Sequence, residues 1–443
     1  MKKTITFLFA LGFAITNAQT NPAITNWLQN TTTIGTYFVP GNSTPISNSI
    51  LVNCQQVRYT TTDVYVNATG IPAYPVGIFT GDGNPNNAGN QNAIYKLPLN
   101  PVQNTGTSTA TSLGNIGIFI NGVSLFDYKD GVAWNNNTNA LCGGPGNPTC
   151  PGGPSATQAW NRDAIPAEKL GFDCSKGHPA GTNYHHHQNP SAFKYDLNVL
   201  STICNLYDAE GLYTINPAQH SPLIGFAYDG FPIYGAYGYA NVNGTGAITR
   251  MKSSYQLNTN TTRTNGPAVN ATYFNGYFKE DYVYVANSGS DYLDEHNGRF
   301  CITPEYPNGI YCYFATVDAN HNSAFPYVVG PTYYGVKTGT KVTTVPTSAS
   351  TYVLNSNEFS LKNYSISVFP NPAQDFITVQ VDFAENDLKV ELINELGQVV
   401  KNSKILQGTT MSMIEVDTIY NGIYFVKVSN GNDSKSFKVI INK

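Results

Sequence analysis

Four of the chain's seven histidines fall within twelve residues: Gly177-His178-Pro179-Ala180-Gly181-Thr182-Asn183-Tyr184-His185-His186-His187-Gln188. No other stretch limits the fold as tightly. Successive side chains of a strand point to opposite faces, so three consecutive imidazoles cannot share one surface. A strand through Tyr184 puts His185 and His187 on one face and His186 on the other. Gly177-His178-Pro179 reads as a turn that folds back and brings His178 beside the first pair. Imidazole suits zinc, copper, iron and nickel. The spacing therefore points to a transition-metal site with His185 and His187 as ligands and His178 as the third. The competing reading is a hydrogen-bonded histidine cluster with no ion. His220 or His296, with Asp229 or Glu295 near, would complete the first or second shell of such a site. A carboxylate there would fix the tautomer of a ligating imidazole.

The surrounding chain reads as all-β. Charged residues are 12%, aromatic residues 12%, and 30 residues are Tyr, a mixture that favours strands and long polar loops over helices. A net charge of -4 and a pI near 6.0 argue against nucleic acid as a partner. At 443 residues the chain holds one large domain and one small one, each with its own core. Residues 56–59 and 64–67 alternate around a polar turn, a hairpin pattern. Residues 93–97 and 116–120 are further short strands, and Asn121-Gly122 turns the second of them into residues 123–126. Residues 83–92 and 135–155, rich in Asn, Gly and Pro, read as loops. Residues 223–227 are a buried strand leading into the turn Asp229-Gly230-Phe231-Pro232, in which Asp229 caps its own backbone.

Lys2 and Lys3, the short apolar run 7–15 and the small residues Thr16-Asn17-Ala18 form a signal-peptide pattern over residues 1–18. No other segment is apolar enough to cross a membrane as a helix. Seven cysteines in an exported chain imply disulfides with one thiol left over. Proximity suggests Cys142 with Cys150, Cys301 with Cys312 across a Pro307-Asn308-Gly309 turn, and Cys174 with Cys204, leaving Cys54. A Cys174 disulfide also removes a Cys174–His178 nucleophile from consideration.

Tyr311-Cys312-Tyr313-Phe314 has the spacing of Tyr184 to His187 and reads as a second copy of that motif without its histidines. Asp294-Glu295-His296 sets two carboxylates beside an imidazole, in the role of ligand, general base or partner of Arg299. His321 lies in an Asn-rich loop and reads as solvated. The chain has no glycine-rich phosphate loop, no Gly-x-Ser-x-Gly elbow and no His-Glu-x-x-His helix.

Two resemblances follow from these residues. Tyr184-His185-His186-His187 resembles the Tyr-His-Tyr-His motif of the YHYH domain family, with His186 in place of the second Tyr. The flanks agree: Ala159-Trp160-Asn161-Arg162-Asp163-Ala164 before it, Ile224-Gly225-Phe226-Ala227-Tyr228-Asp229-Gly230-Phe231-Pro232-Ile233-Tyr234-Gly235 after it, and Leu293-Asp294-Glu295-His296-Asn297-Gly298 further on. This likeness covers roughly residues 50–335 and names no reaction. The last 80 or so residues, with Ile366-Ser367-Val368-Phe369-Pro370-Asn371-Pro372 and Asn421-Gly422-Ile423-Tyr424-Phe425-Val426, resemble the type A C-terminal sorting domain of type IX secretion. That resemblance implies the type IX machinery as a partner and a cell-surface or secreted product from which the domain is removed. The expected organisation is a signal peptide at 1–18, a YHYH-like domain at 19–340, a linker at 341–363 and the sorting β-sandwich at 364–443. Two functions stay open: a copper or zinc protein, enzymatic or not, and a non-enzymatic surface protein that binds polysaccharide or cells and uses its histidines structurally.

Overall fold

The Asn121-Gly122 turn folds the chain back on itself and starts the sheet on which the rest is built. In the computed structural model, residues 21–443 are described except 43, 80–85, 145, 153–157, 191–218, 260, 354–364, 383, 385, 396 and 431–433. The signal-peptide segment, Cys204 and the second half of the expected linker lie outside the described residues. The chain divides into two compact units, Met1–Tyr352 and Val353–Lys443.

The first unit is organised by an eight-stranded mixed sheet. Its strands in chain order are β1 (Asn115–Phe119), β2 (Ser124–Phe126), β3 (His178–Ala180), β4 (Asn183–His186), β5 (Leu223–Ala227), β6 (Pro232–Tyr234), β7 (Gly298–Cys301) and β8 (Ile310–Phe314). In space they run β3-β4-β2-β1-β5-β6-β8-β7. The central strands are buried on both faces and so read as continuous apolar runs: every residue of β5 and β6 is buried. Each fully buried Ile or Phe there, such as Ile118 or Phe226, contributes roughly 1.5–3 kcal/mol. Two glycines let β1 and β5 approach: a Cβ on Gly117 would stand 2.7 Å from the Phe226 carbonyl oxygen, and one on Gly225 2.6 Å from that of Ile118.

The expected hairpin over residues 56–67 is present as Cys54–Tyr59 paired with Asp63–Ala68, within a five-stranded sheet. Two strands of that sheet, Thr340–Val342 and Ser350–Tyr352, come from the stretch expected to start the linker. Their Thr and Val residues suit a strand edge, and pairing with Ala93–Pro98 and Cys54–Tyr59 satisfies their backbone. Part of the expected loop 135–155 is also ordered, with Ala140–Cys142 paired to Lys129–Asn135 and the Cys142–Cys150 disulfide closing it. Cys301 and Cys312 are buried free thiols, against expectation. The hairpin register explains it: Cys312 stands opposite Arg299, and Cys301 opposite Ile310.

The second unit packs Ile366–Phe369, Phe376–Val381 and Met411–Glu415 in one sheet. Val399–Ile405, Leu388–Asn394, Gly422–Ser429 and Ser434–Ile441 form another. Inward residues of both, among them Ile377, Val379, Val390, Val426 and Val428, make one core, the expected small sandwich. No helix among the described residues is long and apolar enough to cross a membrane.

Candidate metal centre

His178 does not sit on a turn. It opens β3, which pairs antiparallel with β4, and it stands directly opposite His185. The reversal falls at Gly181-Thr182, where Gly181 takes φ +60°. The turn before β3 is held by Asp173. Its carboxylate accepts the amides of Ser175 at 2.9 Å, Gly177 at 3.1 Å and Gly77 at 3.0 Å, and the Tyr184 hydroxyl at 3.0 Å. Burial pushes this carboxyl up to about 6, against the pull of those donors. Gly177 is required, because a Cβ there would lie 2.4 Å from the Tyr184 ring.

The period-two reading holds along β4 and one residue beyond it. His185 Nε2 and His187 Nε2 lie 3.0 Å apart. His186 points to the other side, with Nδ1 against the Lys176 carbonyl at 2.9 Å and Nε2 against the Tyr74 hydroxyl at 2.9 Å. Glu168 brings a fourth group: its Oε2 is 3.0 Å from His178 Nε2 and 3.1 Å from His187 Nε2. One donor atom from each of Glu168, His178, His185 and His187 lies within 4.8 Å of all the others.

These distances suit a shared cation. The outer nitrogens are committed to backbone: His185 Nδ1 donates to the Asn183 carbonyl at 2.9 Å and His187 Nδ1 to that of Asp127 at 2.6 Å. With Nδ1 donating to a carbonyl, Nε2 is the nitrogen that each ring turns to the centre, and it is the one a metal would take. Glu168 Oε2 is buried and in neither histidine contact meets hydrogen-bond geometry. Phe126 stacks on His185 at 3.9 Å and Phe172 meets His178 edge-on at 4.8 Å, so an apolar wall surrounds the polar group.

Burial, then the neighbouring imidazoles, holds His185 well below the usual histidine range, so it is neutral at pH 7. Burial raises the Glu168 carboxyl, but contacts with His178 and His187 outweigh it and hold it below the usual carboxylate range. A neutral imidazole beside an ionised carboxylate is the protonation state in which both serve as ligands.

Two neighbouring carbonyls tie the halves of this group together. That of Asp127 takes His187 Nδ1–H, and that of Tyr128 takes the amide of Ala164 at 2.7 Å. Ala164 opens α1 (Ala164–Glu168), capped by the Asp163 side chain on the Ile165 amide. A one-turn helix fixed at its start delivers its last residue, Glu168, to the histidines. The sequence signal was there: an Asp cap before Ala-Ile-Pro-Ala marks a helix start. Nothing in it fixed where that helix would point.

His220 and His296 stand elsewhere, in the half of the unit built on β5 to β8. His220 donates Nδ1–H to the Ser221 carbonyl at 2.7 Å and packs against Tyr234 and Tyr239. His296 is bound to Thr332, whose hydroxyl is 2.8 Å from Nδ1. Asp229 caps its own turn and accepts the Tyr313 hydroxyl at 2.6 Å and the Gly335 amide at 2.8 Å. The Glu295 side chain is 57% exposed, and its carboxylate stands 3.9 Å from His296 Nε2. His321 is not merely solvated, since Nε2 lies 3.1 Å from the Tyr237 hydroxyl. Cys174 is disulfide-bonded, which removes it as a nucleophile; its partner lies outside the described residues.

The fold and this group describe an all-β protein with a histidine–carboxylate cluster in its main sheet and a separate sandwich at its C-terminal end. The chain belongs to the YHYH protein family, which matches residues 94–326, or 233 of 443 residues. Residues 367–442 match the secretion system C-terminal sorting domain, which makes this an extracellular or outer-surface protein delivered by type IX secretion. No curated protein matches the chain.

Proposed function

We propose that this exported protein holds one transition-metal ion, copper or zinc, through His178, His185, His187 and Glu168. The observation that carries the reading is the convergence of three imidazole nitrogens and a carboxylate oxygen within 4.8 Å, with the outer nitrogens of His185 and His187 already bonded to backbone carbonyls. Three nitrogens and one oxygen are the donor set that zinc and copper take in proteins. The ion would offset the Glu168 charge and replace close nitrogen–nitrogen contacts with bonds. The Glu168 side chain is 20% exposed, against 6% for His178 and 3% for His187, so ligand exchange would take place on the carboxylate side. Displacement of Glu168 there would open a position for a substrate or water, the arrangement of a catalytic rather than a closed structural site.

The test is elemental analysis of the full chain purified without added metal, beside His187→Ala. One equivalent more of copper or zinc in the wild type than in the variant supports the site. Equal metal content in the wild type and the variant after incubation with either ion and desalting overturns it.

A further inference from the structure

The eight-stranded sheet repeats itself about its middle. The hairpin β1–β2 turns at Asn121-Gly122, and β5–β6 turns at Asp229-Gly230. Strands β1 and β5 meet antiparallel, with Ile118 opposite Phe226, Gly117 opposite Ala227 and Gly225 opposite Phe119. Strand β4 lies parallel to β2 with His186 beside Leu125, and β8 lies parallel to β6 with Tyr313 beside Ile233. His178 faces His185 as Arg299 faces Cys312. Even the preceding turns agree. Asp294 accepts the amides of His296 at 2.9 Å and Gly298 at 3.1 Å and the Tyr311 hydroxyl at 2.8 Å, as Asp173 does for Ser175, Gly177 and Tyr184. Lys176 and Asn297 share φ 64°. Tyr311-Cys312-Tyr313-Phe314 is thus the positional equivalent of Tyr184-His185-His186-His187.

The face that carries the candidate ligands in the first half carries Arg299, Cys301, Cys312 and Phe314 in the second. Both thiols are fully buried. Cys312 stands opposite Arg299 and Cys301 opposite Ile310, so the two thiols are diagonal neighbours on one face of the hairpin. Arg299 is 8% exposed, and among the described residues its Nε is buried without a hydrogen-bond partner. Its two terminal nitrogens are held by the carbonyls of Ser290 and Tyr239. The guanidinium borders Cys301, whose thiol it also lowers.

We infer that Cys301 and Cys312 form a second metal site, one for a soft monovalent ion, Cu(I), held between two thiolates beside Arg299. Thiolates select such ions over harder ones. Binding releases the two thiol protons to solvent and leaves copper in its monovalent state. The bis-thiolate complex carries one negative charge, which the Arg299 guanidinium offsets. Strand β7 is the edge of the sheet, so the ion can enter by local opening there. The site does not depend on the histidine centre.

The test is an anaerobic titration of the full chain, thiols reduced, with Cu(I) against a competing chromophoric chelator. One equivalent should be held by the thiols. It should fall at least a hundredfold in affinity in Cys301→Ser and in Cys312→Ser, and stay in Cys54→Ser and His187→Ala. Arg299→Lys, which keeps the charge but loses Nε, should weaken it about tenfold, and unchanged circular dichroism shows that each variant folds. Undiminished binding by both folded Ser variants overturns the site. So does a Cys301–Cys312 disulfide in the protein recovered from the cell surface.

Discussion

The period-two reading of His185, His186 and His187 makes a prediction that separates metal binding from packing. At a free zinc concentration of about one hundred times Kd, an ion that binds only the folded state adds about 2.7 kcal/mol to the unfolding free energy. His187 supplies one of four convergent donors. Loss of a partner that only supports a ligand costs 10–100-fold in affinity, so loss of a donor costs at least about a hundredfold. At the same zinc concentration His187→Ala or His185→Ala should then gain at most about 0.4 kcal/mol. His186 faces the other way and bonds to the Lys176 carbonyl and the Tyr74 hydroxyl. His186→Ala should be less stable by about 1–3 kcal/mol without metal, since it strips a buried acceptor of its donor. The full increment of about 2.7 kcal/mol should remain when zinc is added. Urea unfolding followed by tryptophan fluorescence, in zinc and in chelator, measures all three variants. If His186→Ala loses the increment, or the other two keep it, the geometry proposed for the ion is wrong.

Glu168→Gln keeps the shape but removes the charge, and should raise the metal Kd at least about tenfold by calorimetry; an unchanged Kd would leave Glu168 as a spectator. Burial holds the His220 imidazole down at about 4, so it stays neutral in the folded protein while the unfolded chain takes up a proton below about 6.5. Its contribution is therefore complete above pH 6.5 and shrinks as pH falls, by up to about 3 kcal/mol at pH 4. Asp173 and Asp229, both pushed up to about 6, act with the opposite sign between pH 3.8 and 6, so the quantity to read is the difference between wild type and His220→Asn, which should vary with pH across that window. Gly117→Ala and Gly225→Ala should each cost at least about 1–3 kcal/mol, because the added methyl meets a backbone oxygen that cannot swing aside; wild-type midpoints would contradict the close seam. Deletion of residues 366–443 should leave the protein in the periplasm, and immunoblots finding it at the surface would contradict delivery by the sorting domain.

Strand identity was legible from alternation in the outer hairpins and from apolar runs in the central strands, and His185 with His187 because a strand's period is two and depends on nothing remote; His178 was expected beside them, but by a turn rather than by the strand pairing that places it. Glu168 was not legible. Its place depends on the amide of Ala164 reaching the carbonyl of Tyr128, a contact across 36 residues that no local pattern encodes. The expectation that His220 and His296 would join the cluster failed for the same reason turned round. Scarcity made His220 and His296 look like ligands, whereas the topology puts these two in the other half of the unit. Cys301 and Cys312 show how little separates a right turn from a wrong pairing: the hairpin is where it was expected, and a register offset of two residues keeps the sulfurs off opposing positions. The strands at 340–342 and 350–352 were obscured because edge segments have no continuous apolar run to betray them.

The meeting of β1 with β5 carries a consequence for how such a chain can change. Two equivalent strands that pair antiparallel are what two copies of a smaller protein would present to each other across a dimer axis. Held in one polypeptide, that contact is intramolecular and no longer depends on protein concentration. In a dimer of identical chains every substitution appears twice, so a pocket is kept in both copies or lost from both. Joined copies are released from that constraint. One can hold its histidines while the other replaces His178, His185 and His187 with Arg299, Cys312 and Phe314, and both continue to share a single core.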